Sequence, residues 1–294
     1  MQETGNNTKG IVEFEFLDET LDLNSTSNYH LSIQVGLDGF SFSILNPTSN
    51  KYIALKNYPN LSNGSEAINA DWIRTILNND EFLNRNYKSV ALVFVSCNST
   101  IVPDPLFKKE NLKDYFDFNL DLPETDEIYC SKIERTDSWT LFPAQKDIIE
   151  ILTGQYKNLK IFHQSVPFIN NILSKTKNSL NNTQAFIHLY GKFFDMAIIE
   201  NQELKLYNCY SYRHVNDLLY YILYAFDQLK LPADSTSLVL SGKVTRQSSF
   251  YENLRRYVKK IDFAGLDPFF KYSYTFTKVP DHTFTNLLNL FPCA

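Results

Sequence analysis

Two segments of the chain share the pattern of a strand, a tight turn and a second strand. The first is LSIQVGLDGFSFSIL, residues 31–45, and the second is FIHLYGKFFDMAII, residues 186–199. Apolar and polar residues alternate in the first, as in a half-buried strand, and its Asp38-Gly39 pair favours a hairpin turn. Ile33 and Ile187 are 154 residues apart, and this even spacing keeps the same face of each strand inward. An internal repeat is therefore the feature that most constrains the fold.

The same order of elements follows each hairpin: a third strand, a helix, a buried strand, a helix, a strand and a helix. We therefore predict an α/β protein made of two related halves. Residues 1–28 form a loosely held polar lead-in, residues 29–180 the first half with an inserted hairpin near 127–142, and residues 181–294 the second half. The alternative is two unrelated α/β halves that each contain an ordinary hairpin.

Composition excludes several classes of partner. The net charge of −5 and the pI near 5.6 do not favour binding to nucleic acid or to an anionic membrane. The first ten residues, MQETGNNTKG, lack the apolar core of a signal peptide, and no apolar stretch reaches the roughly 18–20 residues of a spanning helix. We therefore expect a cytoplasmic protein without membrane or nucleic-acid partners.

The four cysteines carry no metal or disulfide signature. They lie far apart, at Cys97, Cys130, Cys209 and Cys293, without a C-x-x-C pair or a partnered histidine. We expect four reduced thiols. Motifs of P-loop, dinucleotide-binding, zinc-protease and serine-hydrolase sites are also missing from the sequence, so it predicts no catalytic residue and no metal site.

Three segments resemble motifs of the actin, heat-shock-chaperone and sugar-kinase superfamily, in which ATP lies between two lobes. Residues 32–45 overlay the first phosphate motif, with Gly36 at its glycine, and residues 186–199 overlay the second, with Gly191 in its glycine run. The segment LVLSG, which ends at Ser241 and Gly242, looks like the third, adenosine-contacting motif. The resemblance implies a duplicated actin-like ATPase (ribonuclease H-like) fold, with two lobes that each have a mixed five-stranded sheet and flanking helices.

The sequence departs from this superfamily at both acidic positions of the phosphate motifs. Gln34 and His188 stand where the superfamily has aspartates that hold hydrated Mg²⁺ and position water. An amide carries no charge for a divalent cation, and imidazole is a poor ligand for a hard ion. Tyr190, Lys192 and Phe193 place bulk where backbone N–H groups would approach phosphate. ATP is the cofactor that the resemblance implies, and these substitutions argue against it.

A closer resemblance extends over nearly the whole chain. The segments LSIQVGLDGFSFSIL, IFHQSVPFIN, FIHLYGKFFDMAIIE, DLLYYILYAFDQL and VPDHTFTNLLNLFPC are similar to those of a bacterial family known as domain of unknown function 3822. This resemblance implies the actin-like ATPase fold and supplies no reaction.

Two acidic residues near the motifs allow different interpretations. Asp38 is either the first residue of an ordinary Asp-Gly turn, which we favour, or a displaced metal ligand. Asp195, in the second strand of its hairpin, is expected to face away from the cleft. The candidate residues of a cleft between the halves are Gln34, Gly36, Asp38, Gly39, His188, Gly191, Ser241 and Gly242.

Three functions remain open. The favoured hypothesis is a protein with decayed ATP chemistry that acts as a scaffold or regulator through unknown protein partners or a ligand in the cleft. The second is a working ATPase or phosphotransferase that uses Asp38 in place of the missing acid. The third is a structural module whose cleft is filled and binds no ligand. Fold alone does not choose among them.

Overall fold

The structure is a computed structural model that describes residues 12–60, 68–118, 120–176 and 183–294. The strands are β1 (Phe14–Leu17), β2 (His30–Gly36), β3 (Gly39–Asn46), β4 (Lys51–Pro59), β5 (Ser89–Val95), β6 (Thr100–Pro103), β7 (Asp126–Ile133), β8 (Ser138–Gln145), β9 (Lys160–His163), β10 (Thr183–Leu189), β11 (Phe193–Glu200), β12 (Glu203–Ser211), β13 (Ser237–Gly242), β14 (Lys260–Phe263) and β15 (Lys271–Tyr272). The helices are α1 (Ala70–Asn79), α2 (Leu112–Asp117), α3 (Lys146–Gln155), α4 (Ser165–Thr176), α5 (Val215–Gln228), α6 (Ser249–Leu254) and α7 (Thr285–Leu288).

Two mixed sheets share one strand order. The first contains the run β4-β3-β2-β5-β9, and the second has the order β12-β11-β10-β13-β14. Ile33 pairs with Phe42 across the first hairpin, and Ile187 pairs with Met196 across the second. Both pairs are related by the predicted spacing of 154 residues, so the two hairpins have the same register.

The alternation of apolar residues gives each sheet its own core on the outer face. Leu31, Ile33 and Val35 of β2 pack with α1 and α3. Ile187 and Leu189 of β10 pack with α5 and α6. Helix α5 buries residues at helical spacing, as its apolar stripe predicts, and these are Leu218, Ile222, Ala225 and Phe226.

The inner faces of the two sheets are covered by helices that lie between them. Val166, Phe168 and Ile169 of α4 pack with Phe186 and Ala197 of the second sheet. Helix α7 contacts β2 and β3 of the first sheet and also contacts α4. The two halves are therefore joined by a helical layer, and the residues of β2 and β10 that point inward face this layer.

Both ends of the chain add to the first sheet, which differs from the predicted organisation. Strand β1 pairs with β4, so the expected loosely held lead-in is wrong for residues 14–17, while residues 1–11 lie outside the described residues. Strand β15, from the segment expected in the second half, also pairs with β4. Phe16, Tyr52, Phe270 and Leu288 share one apolar cluster that holds both ends in place. The predicted boundary between residues 180 and 181 also lies outside the described residues.

The hairpin predicted near residues 127–142 is present as β7 and β8. Strand β6 pairs with β8, so this insertion is a three-stranded sheet rather than a hairpin alone. Helix α2 contacts all three strands.

Among the helices of the described ranges, none combines the length and the hydropathy that a bilayer crossing requires.

The expectation of four reduced thiols is wrong for one pair. Cys97 and Cys209 form a disulfide, with their Cα atoms 5.4 Å apart. No sequence pattern predicts this pair, because the two cysteines are 112 residues apart and meet only where the two sheets approach each other. Cys130 and Cys293 are free and half-buried.

Candidate functional site

The tips of the two repeated hairpins contact each other. In the first, Gly36 pairs with Gly39 across the turn that holds Asp38, and in the second the Tyr190 N–H donates to the Phe193 carbonyl at 2.9 Å. Both carboxylate oxygens of Asp38 accept from the Gly191 N–H, at 3.1 and 2.9 Å. Asp38 is therefore more than a turn residue, because its side chain links the first hairpin to the second.

Two features reinforce this contact between the tips. The Lys243 ammonium lies 3.4 Å from an Asp38 oxygen, just beyond the end of β13. A Cβ atom at Gly191 would overlap the Asp38 carboxylate, so a side chain there would push that carboxylate out of its present position. The residue predicted as a phosphate-motif glycine thus allows close approach of a carboxylate from the same chain.

Strand pairing brings together the predicted residues of the second half. His188 lies beside Ser241 and Leu189 beside Gly242, because β10 and β13 are parallel neighbours. The His188 ring is buried, and its Nδ1 atom lies 2.9 Å from Ser241 Oγ and 3.2 Å from Thr285 Oγ1. Burial, together with the nearby His282, lowers the pKa of His188 to about 3. This histidine is therefore neutral near pH 7 and offers no negative charge to a metal.

The end of the third motif is covered by the C-terminal segment. The Gly242 N–H donates to the His282 carbonyl at 2.8 Å, and His282 Nε2 lies 2.7 Å from the Val244 carbonyl oxygen. Gly242 has φ of +80°, a conformation that favours glycine, and a Cβ atom there would collide with the Leu189 carbonyl. The Gly242 N–H, a backbone donor of this loop, is therefore already bonded to a carbonyl of the same chain.

Gln34 is the predicted residue of the first half that enters none of these contacts. It lies in the middle of β2, between Ser41 of β3 and Val93 of β5, and is half-buried. The structure therefore links Asp38 with Gly191, and His188 with Ser241, while Gln34 stays within its own sheet.

Tyr190 fills the space between the two sheets at this point. Its ring is buried, with its centroid 4.6 Å from those of His188 and Phe193. Together with Phe193 it packs against Val93 and Val95 of the first sheet. The Tyr190 hydroxyl accepts from the Asn286 amide at 2.7 Å. The centre between the halves is thus occupied by side chains of the protein.

Asp195, which was expected to face away from the cleft, does not line the cavity beside the hairpin tips. Its carboxylate is buried between the halves and accepts from Tyr207 at 2.9 Å, Tyr190 at 3.3 Å and the Gln164 amide of the first half at 3.4 Å. Burial raises the pKa of Asp195 to about 7, although these three hydrogen bonds lower it. A lone acid within the apolar strand FFDMAII was the signal that could have identified it.

A cavity of about 1050 Å³ lies beside the hairpin tips. It opens at the carboxyl ends of the parallel strands β2 and β5, a place where open α/β sheets bind ligands. Of the eight predicted cleft residues, Gly36 and Gly191 line it. Other lining residues are Ser96, Asn98, Asp126, Gln145, Lys192, Tyr212, Arg213 and Tyr221. Within the described ranges, no cluster of three or more histidine, cysteine or acidic side chains could hold a metal ion.

Comparison with solved structures identifies the fold. A protein from Bacteroides thetaiotaomicron VPI-5482, with an actin-like ATPase fold and unknown function, superposes with a TM-score of 0.79 at 21% identity and covers 94% of this chain and 100% of its own. The PilM-PilN type IV pilus biogenesis complex contains a chain that matches with a TM-score of 0.55 at 8% identity, over 89% of this chain and 97% of that one. The protein therefore has the actin-like ATPase fold.

The sequence also places the chain in a family. Residues 18–261 match the family described as "Protein of unknown function (DUF3822)", so the chain belongs to this family. No curated protein matches the sequence.

Proposed function

We propose that this is a binding protein on an actin-like fold whose ATP chemistry has been lost. It acts as a scaffold or regulator of another protein, and the cavity beside the hairpin tips takes a ligand other than Mg-ATP. The observation that carries the proposal is the contact of Asp38 with Gly191. The Gly191 N–H, which in a phosphate loop would donate to phosphate, donates here to a carboxylate of the same chain.

The electrostatics at the hairpin tips support this proposal. A phosphate that approached the Gly191 N–H would have to displace the Asp38 carboxylate, which already carries negative charge. Like charges at this distance repel, and the displaced carboxylate would lose both its hydrogen bonds and the nearby Lys243 ammonium. The acidic positions next to the tips hold Gln34 and neutral His188, which leaves Mg²⁺ without its usual carboxylates.

The remaining contacts support a binding role. The Gly242 N–H, in the loop that resembles the adenosine motif, is bonded to His282, and Tyr190 fills the space between the sheets. The cavity nevertheless remains large enough for a small organic molecule, since ligand pockets are typically about 300–1,000 Å³. A neighbour with this fold is found in a complex with a second protein, which is consistent with a role through protein partners.

An active ATPase that uses Asp38 as its acid is the rival function, because the cavity borders the hairpin tip that carries this residue. A phosphate-release assay with Mg-ATP separates the two. We expect the wild-type protein and the Asp38→Asn variant to release phosphate no faster than buffer alone, because the Asp38 carboxylate is engaged with Gly191.

The matched control is Asp126→Asn, which changes an acid that lines the cavity and makes no contact with Gly191. Phosphate release by the wild-type protein that falls 100-fold or more in Asp38→Asn and persists in Asp126→Asn would overturn the proposal in favour of the ATPase.

A further inference from the structure

The disulfide between Cys97 and Cys209 joins the two halves at the edge of the cavity. Cys97 lies two residues beyond β5 and lines the cavity, and Cys209 lies on β12, opposite Asp195 of β11. Both residues are half-buried rather than fully enclosed, and Cys97 faces the cavity. Their Cα atoms are 5.4 Å apart, a separation that disulfides commonly span.

The bridge lies next to the contacts that hold the hairpin tips in place. Both cysteines pack against the apolar cluster that contains Tyr190 and Phe193. The link between the tips is a charge-assisted hydrogen bond from Gly191 to Asp38, and that carboxylate is about one-quarter exposed. Such a contact opens and closes in water, whereas a covalent bond across the same interface prevents the halves from separating.

We propose that Cys97 and Cys209 form a reversible thiol–disulfide latch, which holds the halves together across the cleft and controls entry to the cavity. The inference rests on the proposed function, because the site it regulates is the ligand cavity described there. In the bridged state the hairpin tips are held against each other, and in the reduced state the two halves can separate at this edge.

A dithiol is the class of reductant that opens the latch. One of its thiolates attacks a sulfur of the Cys97–Cys209 bond, forms a mixed disulfide and expels the other cysteine as a thiolate. The second thiol of the reductant then attacks the mixed disulfide and releases the remaining cysteine. The protein gains two electrons and two protons as two thiols, and the reductant leaves as its disulfide. A disulfide oxidant closes the latch by the reverse steps.

The test compares the full-length protein before and after treatment with dithiothreitol under native conditions. Thiol titration after denaturation is expected to find two thiols in the bridged protein, from Cys130 and Cys293, and four after reduction. Hydrogen–deuterium exchange at residues 37–39 and 190–193 is expected to be at least 10-fold faster in the reduced protein, and reoxidation is expected to restore the slow rate.

Variants separate the bridge from a general effect of the reductant. Cys97→Ser is expected to show fast exchange at the tips with or without dithiothreitol. Cys130→Ser, which changes a half-buried free cysteine, is expected to respond to dithiothreitol as the wild type does. A bridge that resists dithiothreitol in the folded protein overturns the latch, and so does equal exchange at the tips in both states.

The same samples distinguish failure of the latch from failure of the proposed function. If exchange at the tips is unaffected by reduction and neither state hydrolyses Mg-ATP, the latch is wrong and the proposed function stands. If reduction speeds exchange and the reduced protein then hydrolyses Mg-ATP, the latch stands and the proposed function is wrong.

Discussion

Lowering the pH from 8 to 5 is expected to reduce the free energy of unfolding by about 3–4 kcal/mol, because three histidines are buried in their neutral form. Burial lowers the pKa of His30 and of His163 to about 4, and that of His188 to about 3. An unfolded histidine takes up a proton near pH 6.5. Between pH 6.5 and about 4 the unfolded state therefore binds more protons than the folded state. The three side chains stabilise the fold above pH 6.5 and lose this contribution as the pH falls.

The size of the effect follows from the pKa values. Between pH 8 and pH 5 each histidine lowers the free energy of unfolding by about 2 kcal/mol, at roughly 1.4 kcal/mol per pH unit below pH 6.5. The three together account for roughly 6 kcal/mol, and Asp195 offsets about 2.5 kcal/mol of this because its effect has the opposite sign. Urea unfolding at the two pH values measures the loss. His188→Gln, which cannot titrate, is expected to reduce the loss by about 2 kcal/mol. An equal loss in this variant and in the wild type would show that His188 is not buried as a neutral group.

Asp195→Asn is expected to change the pH dependence of the free energy of unfolding in the direction opposite to His188→Gln. Burial raises the pKa of Asp195 from 3.8 to about 7, so the folded state holds a proton there that the unfolded state has already lost. The contribution of Asp195 to stability is largest below about pH 4, falls as the pH rises to about 7 and stays low above that. Asparagine does not ionise, so the variant is expected to gain about 2.5 kcal/mol over the wild type between pH 5 and pH 8.

Urea unfolding of Asp195→Asn at pH 5 and pH 8 measures this difference. Tyr207→Phe provides the complementary variant, because it removes a hydrogen bond that lowers the pKa of Asp195. It is expected to make the loss of stability at high pH larger than in the wild type. A wild-type pH dependence in the asparagine variant would show that Asp195 is not buried with a raised pKa.

The repeated hairpins show how far the sequence predicts this fold. Alternating apolar residues identified β2, β3, β10 and β11, and the even spacing from Ile33 to Ile187 predicted the shared register that the structure contains. These features are local, because turn chemistry and strand periodicity are determined by neighbouring residues. Strand β15 has two residues and lies far along the chain from β4, so no local sequence pattern identifies it. Its pairing with β4 depends on tertiary packing of Phe270 and Tyr52.

The cleft residues were predicted from local motifs, whereas the contacts between the halves had no sequence signal. Two of the eight predicted residues, Gly36 and Gly191, line the cavity. The contact between Asp38 and Gly191 spans 153 residues, and the Cys97–Cys209 bridge spans 112. Neither has a local pattern, because each depends on how closely the two sheets approach. The burial of Asp195 depends on the same approach.

We propose that side chains of the protein occupy the place where an actin-like ATPase binds phosphate, and thermal unfolding with and without excess Mg-ATP tests this proposal most directly. A ligand at about 100 times its Kd adds roughly 2.7 kcal/mol to the free energy of unfolding, which for a chain of this size raises the Tm by roughly 5–10 °C. We expect the Tm to stay within about 1 °C of its value without Mg-ATP, because a protein that does not bind a ligand is not stabilised by it. A rise of several degrees that grows with the Mg-ATP concentration would contradict the account.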